Sequence, residues 1–283
     1  MNRLTMRKRF VYLILAILGL CILPLVVLRL WDERAVRVEW ARLAESQPPG
    51  VAVYDPAMVA DLPEPAQRYF SFAIAPGTPL LTVAEIDMGG EFSLGTRDNP
   101  NYQPMEARQI LAAPTGFVWK VRLPGVVPVS GSDTGSWTRF RVLGLIPVAR
   151  MGGEPNHARA AYGRYVAEAV FWTPAALLPG PDVVWEAVDQ DTARVTMSHN
   201  DLSQAVDIQV DAEGTVQFMR WSDANPEREH RLQPFGGQLS DFREVQGFRI
   251  PFKVEAGNMF GTEQHFIFFR ARVTKVRFLS PGL

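Results

Sequence analysis

Residues 10–28 read FVYLILAILGLCILPLVVL, 19 positions without a charge. As an α-helix rising ~1.5 Å per residue this run spans about 28 Å, close to the ~30 Å hydrocarbon core of a bilayer. Polar positions then return at a helical period. Between residues 30 and 46 the apolar side chains Val36, Trp40, Leu43 and Ala44 recur on one face, and Glu33 stands four residues before Arg37, a favourable helical pair. This predicts a short helical stalk at the membrane surface. Gln47-Pro48-Pro49-Gly50 ends it, because two prolines and a glycine do not continue a helix.

From Val51 onward the pattern is that of a folded domain. Asp55-Pro56 signals a helix start, with the acid as cap and proline in the first turn. Leu62-Pro63-Glu64-Pro65 restarts the chain, and Leu62, Ala66, Tyr69, Phe70 and Ala73 form an apolar stripe before Pro76-Gly77. The expected helical region is 56–73. The period then drops to two, with strands expected at 81–92, 102–112, 117–123 and 137–143. A helix over 156–172 interrupts them. Asn156 is its expected cap, Thr173-Pro174 stops it, and Tyr162, Tyr165, Val166, Ala169 and Trp172 form its inward face. Strands resume near 183–188, 193–198, 205–210, 216–221, 239–245, 248–256 and 266–278, with turns at Asp211-Ala212-Glu213-Gly214 and Gln246-Gly247.

The expected fold class is therefore α+β. An N-terminal transmembrane helix precedes a curved antiparallel sheet of about eight to eleven strands, an open half-barrel with two or three helices packed against it. Residues 1–9 are a short basic tail, 10–28 the transmembrane helix, 29–50 the stalk and linker, and 51–283 a single domain.

Charge adds a topology. Arg3, Arg7, Lys8, Arg9 and Arg29 give residues 1–31 a charge of +5, and the remaining 24 basic and 30 acidic residues give −6. An acidic body argues against nucleic acid as a partner, since phosphate binding needs a basic face. The compact Arg7-Lys8-Arg9 cluster and the very short tail place the N-terminus in the cytoplasm and the main domain outside it, against the opposing pull of Arg29, Arg34, Arg37 and Arg42. The apolar run is longer than a typical signal-peptide core and no A-x-A-like site follows it, which favours an uncleaved anchor. Nor do small residues precede Cys21 as a lipidation site requires. Cys21 is the only cysteine, so the body has no disulfide, cysteine metal ligand or thiol nucleophile.

Candidate chemistry is sparse. His157, His199, His230 and His265 lack metal-ligand spacing, and His199-Asn200-Asp201 reads as a hairpin turn. No G-x-S-x-G elbow occurs, and Gly152-Gly153-Glu154-Pro155 lacks the glycine spacing and lysine of a phosphate loop. No metal and no cofactor are expected. Glu168 sits at the border of the apolar stripe, one helical turn after Arg164. One reading is an ion pair at the rim of a docked helix, worth a few tenths of a kcal/mol. The other is a polar group at the mouth of an apolar cavity, orienting a ligand or acting as a general acid. Asp133 reads as a turn acid that joins this chemistry only if the fold brings it near Glu168. Trp119, Trp137, Trp172 and Trp185 serve as core or, with the 17 phenylalanines, line a concave sheet.

Two resemblances bear on these residues. The stretch Arg164-Tyr165-Val166-Ala167-Glu168, Phe171-Trp172, Pro174, Leu177-Leu178-Pro179 and Trp185-Glu186-Ala187 resembles a bacterial family of unknown function reading R-Y-L-A-E, aromatic-proline, L-L-P and W. The likeness extends to Leu62-Pro63-Glu64-Pro65 with Arg68-Tyr69, to Phe242-Arg243-Glu244-Val245 with Gly247 and Arg249-Ile250-Pro251, and to Phe269-Arg270-Ala271-Arg272-Val273. It spans about 60–280 and departs at Pro234-Phe235, where the family pattern has Pro-Trp. It carries over no catalytic residue. The run of strands around Asp211, Gly214, Val245, Gly247 and Ile250-Pro251 is also similar to lipoprotein-carrier (LolA/LolB-like) domains. That resemblance implies a curved sheet around an apolar cavity, with residues 156–178 as plug or lid.

The leading expectation is a non-catalytic domain of the cell envelope, anchored to the membrane by residues 10–28, that binds a lipid or other apolar ligand. Arg164, Tyr165, Glu168, Trp172 and Trp185 are its candidate ligand-binding residues, and no catalytic residue is assigned. Two alternatives stay open: a sensor or interaction module with a protein partner in the envelope, and a hydrolase-type enzyme using Glu168.

Overall fold

The computed structural model describes residues 3–225 and 231–281. His230 lies outside them. Helix α1 (Arg3–Ala44) is continuous, joining the apolar run to the segment expected as a stalk. That segment is not free-standing. Its face packs on the sheet: Val36 and Leu43 are buried against Val83, Ile110, Ala112, Val118 and Leu279, with Trp40 and Ala44 beside them. The same spacing that predicted a helix thus provides an apolar face, and the sheet covers it.

Asp55 caps a single turn of 3-10 helix at Pro56–Val59, its side chain accepting the Ala57 amide at 2.9 Å. Helix α2 (Glu64–Ala73) then buries Ala66, Tyr69, Phe70 and Ala73. The region expected as helical is therefore two pieces, split where Pro63 and Pro65 withhold amide donors. Helix α3 (Pro155–Trp172) starts one residue earlier than expected. Glu154, not Asn156, occupies the cap position, and Pro155 fills the first turn with its preset backbone angle.

The strands are β1 (Val83–Ser93), β2 (Tyr102–Ala112), β3 (Gly116–Leu123), β4 (Val129–Thr134), β5 (Trp137–Val142), β6 (Ile146–Gly152), β7 (Val183–Ala187), β8 (Thr192–His199), β9 (Leu202–Val210), β10 (Val216–Asn225), β11 (Arg231–Val245), β12 (Phe248–Asn258) and β13 (Phe266–Phe278). They form one sheet in the order β6-β5-β4-β3-β2-β1-β13-β12-β11-β10-β9-β8-β7. Every pairing is antiparallel. Strands β4 and β6 exceed the sequence expectation. β4 reads VSGSDT, small and polar, and β6 is an edge strand carrying Pro147, a residue that edges tolerate.

The sheet is curved. Helix α3 touches both β6 and β9, ten strands apart in the order. In a flat sheet they would lie about 48 Å apart, beyond the reach of an 18-residue helix about 27 Å long. Helices α2 and α3 therefore lie in a concave face, and the second half of α1 lies on the opposite, outer face. Alternation assigns the residues. Phe117, Trp119, Val121 and Leu123 of β3 point inward to the main core, whereas Val118 joins the outer cluster under α1.

Candidate functional site

The C-terminal half of α3 is buried nearly all round, from Ala161 to Trp172, because the sheet wraps it. Its N-terminal half is less completely packed. There a cavity of about 300 Å³ opens between α3 and strands of both sheet halves, walled by Phe92, Trp119, Phe140, Ala160, Trp172, Phe235, Phe268 and Phe269. Helical spacing aims His157, Ala160, Ala161, Arg164, Glu168, Phe171 and Trp172 at this space, with Arg164 and Glu168 an ion pair among them.

Those two belong to a polar cluster of five side chains. Arg164 donates from Nε to Glu168 Oε1 at 2.8 Å and from Nη1 to Asp133 Oδ2 at 2.7 Å. Its Nη2 reaches Gln109 Oε1 at 3.4 Å, and Gln109 Nε2 donates in turn to Glu168 Oε2. The remaining Asp133 oxygen accepts the Thr138 hydroxyl at 2.5 Å. Aromatic faces hold the guanidinium from below, with the Phe117 ring at 4.7 Å and the Trp119 ring at 5.1 Å. Burial pushes the Arg164 pKa down, but the charges of Glu168 and Asp133 and their hydrogen bonds outweigh it, so the group stays firmly protonated. One cation faces two carboxylates, and the wall carries a net negative charge.

The structure distributes the five sequence candidates unevenly. Arg164, Glu168 and Trp172 line the cavity. Tyr165 is buried beside it, stacked edge-on against Tyr162 and donating to Pro114 O at 3.3 Å. Trp185 packs on Tyr69 and Phe70, and its indole donates to Leu177 O at 2.9 Å, away from the cavity. Trp137 faces outward, under Arg139. Asp133 is not a turn acid. It lies on β4 and points inward, which brings it to the same arginine as Glu168. The ion pair read as lying at a rim is one edge of a larger network in the cavity wall.

Gln109 was missed, although its signal is legible. Met105, Ala107 and Leu111 alternate inward on β2 and Gln109 takes the position between them, a fully buried polar side chain on an apolar face. The indole N–H groups of Trp119 and Trp172 are buried behind the wall and have no hydrogen-bond partner among the described residues.

A second cavity, about 370 Å³, shares Phe92, Trp119 and Phe140 with the first. Its other walls are Leu94, Val121, Leu123, Val129, Val142 and Val148, so every side chain around it is apolar. The two spaces flank a common aromatic wall and run along the concave face from α3 to the end of β3–β6.

Residues 52–271 match the profile of a family described as a family of unknown function, DUF6544. No curated protein matches the chain. Among solved structures, the chain is similar to a LolA superfamily protein from Nitrosomonas europaea at 8% identity, covering 76% of this chain and 91% of that one with a TM-score of 0.42. It is likewise similar to a DUF1329 family protein from Desulfovibrio piger at 10% identity, covering 72% and 88% of the two chains with a TM-score of 0.39. At these scores neither likeness bears on function.

Proposed function

The chain belongs to the DUF6544 family, whose function is unknown, and we propose that it is a membrane-anchored envelope domain that binds a lipid or similar apolar ligand between α3 and the sheet. The observation that carries this reading is the cavity itself. It is walled by aromatic and aliphatic side chains, adjoins a second wholly apolar space, and holds one compact polar cluster. Sites for small ligands have this composition and a volume on the order of 300–1,000 Å³.

Catalysis fits the cluster less well. Arg164 clamps both carboxylates, and Gln109 and Thr138 bond their other oxygens, an arrangement that ties the two acids to the protein instead of aiming them at a substrate. The anchor reading rests on α1. It carries no charge from residue 10 to 28, and none of its apolar stretch is buried among the described residues. The helix passes without interruption from that run into the segment docked on the sheet.

The test uses the full-length protein in detergent. A fluorescent fatty acid should bind saturably, and lipid extracted from the purified protein should be identifiable by mass spectrometry. Ala160→Trp fills the cavity from the helix side and should weaken probe binding at least tenfold while leaving the circular dichroism spectrum unchanged. A parent protein that neither binds the probe nor carries lipid would refute the ligand reading. Recovery of the full-length chain in the soluble fraction without detergent would refute the anchor.

A further inference from the structure

The register of β3 to β6 puts Leu123, Val129, Val142 and Ile146 at one end of the sheet, since each is paired with the next. The opposite end carries Val83, Ala112 and Gly116. Helix α1 runs along the outer face between these ends. Leu43 lies against Gly116, Glu33 pairs with Lys120 at 2.9 Å further along, and Arg29 Nη1 donates to Gly144 O at 2.9 Å in the β5–β6 turn. Arg29 is the first charge after the apolar run. The first sheet end therefore lies at the level where α1 passes into its apolar stretch.

That end is apolar and uncovered. Val126 and Val127 in the β3–β4 loop, Leu143 in the β5–β6 turn and Ile146 at the start of β6 are all exposed. The two loops are tied together, Leu143 N donating to Pro128 O at 2.9 Å. Exposed Trp31 stands at the same level on α1, a residue type favoured at the membrane interface. Just behind, Arg139, Arg141 and Arg150 surround the single carboxylate of Asp32, leaving positive charge where lipid phosphates would lie. The wholly apolar cavity ends here too, its walls Leu123, Val129 and Val142 adjoining these loops in sequence.

We propose that this sheet end seats in the surface of the same membrane that α1 crosses, and that the apolar cavity takes an acyl chain directly from that leaflet. The inference rests on the anchor and ligand readings above and adds where the ligand comes from. Exposed aliphatic side chains on two joined loops are costly in water and stabilising in an acyl layer. The continuous, docked α1 fixes the geometry, so the loops meet the bilayer without a further folding step.

The full chain, with Cys21→Ala, is reconstituted in vesicles containing anionic lipid and labelled at one introduced cysteine with an environment-sensitive fluorophore. Labels at Val127→Cys and Ile146→Cys should shift to shorter wavelength and be quenched by brominated lipid at least threefold more than a label at Ser136→Cys, at the far end of the sheet. Equal quenching at the three sites overturns the seating. In a second arm, the double variant Val126→Asp and Val127→Asp should acquire a fluorescent fatty acid from vesicles at least tenfold more slowly than the parent, with binding of the same probe from detergent solution unchanged. Unaltered acquisition from vesicles overturns the direct path while leaving the ligand reading intact. A parent that binds the probe from neither source removes both.

Discussion

At the scale of single residues, Arg164 holds the site together. It satisfies two carboxylates from different elements, and Phe117 and Trp119 shield it from water. Arg164→Met keeps the length and apolar contact of the stem but leaves Asp133 and Glu168 without a cation, and should lower stability by about 2–4 kcal/mol in chemical denaturation. Glu168→Gln keeps the shape and still accepts from Arg164, so a smaller loss of about 1–2 kcal/mol is expected. Gly131 has a different role. A Cβ there would stand 2.4 Å from the Arg139 carbonyl oxygen and 2.5 Å from the Phe140 ring, so only glycine lets β5 lay Phe140 between the two cavities. In the sequence, Arg164 and Glu168 stood out by helical spacing. Asp133 did not, because its meaning depends on which strand face turns inward, and Gln109 shows only as a polar residue on the apolar face of β2, with nothing to announce its partners.

At the scale of elements, α1 is the one whose role changes most between sequence and structure. Asp32 is buried and receives Arg139 at 2.9 Å, Arg150 at 2.6 Å and Arg141, a contact no local pattern announces. Asp32→Asn leaves three guanidiniums facing one another and should destabilise the domain by up to about 3 kcal/mol, with the loss smaller at high salt. Urea denaturation of the full chain in detergent, at two ionic strengths, measures both. Trp40 provides a second fastening through its indole bond to Glu85 Oε1 at 2.9 Å. Burial pushes the Glu85 carboxyl up, but hydrogen bonds from Arg277 and Trp40 and the charges of Arg277 and Arg108 outweigh it and hold its pKa below the ordinary 4.5. Its contribution is therefore fully present above about 4.5 and is lost as pH falls through the lower folded value. The parent should lose more stability than Glu85→Gln between pH 5 and about pH 3, as followed by tryptophan fluorescence.

At the scale of the whole molecule, an open sheet of 13 strands has a protected middle and two exposed edges. Strands β1 and β13 are central, each paired on both sides, whereas β6 and β7 each have one partner among the described residues. Hydrogen exchange should be slowest in β1, β2 and β13 and fastest in β6 and β7. A β6 protected as well as β1 would point to a partner covering that edge. The same curvature that protects α3 also leaves its N-terminal half incompletely packed, and the cavity is the residue of that mismatch between a straight helix and a bent sheet.

The sequence alone determined the apolar helix, the antiparallel α+β class, the position and inward stripe of α3, and the turns at Gly214 and Gly247, both with positive φ. These depend on local period and on backbone angles that few residues adopt, which neighbours along the chain are enough to reveal. The tertiary structure decided the rest. It placed Asp133 and Gln109 beside Arg164, docked the expected stalk on the outer face through Asp32, and set the exposed tips of two hairpins at the level of Arg29. Each of these joins residues more than fifty positions apart, except the Arg164–Asp133 pair, which lies 31 apart with two strands between and depends on the inward face of β4. Such contacts follow from sheet order and curvature, which arise from the packing of all the strands together and leave no trace in the period of any one of them.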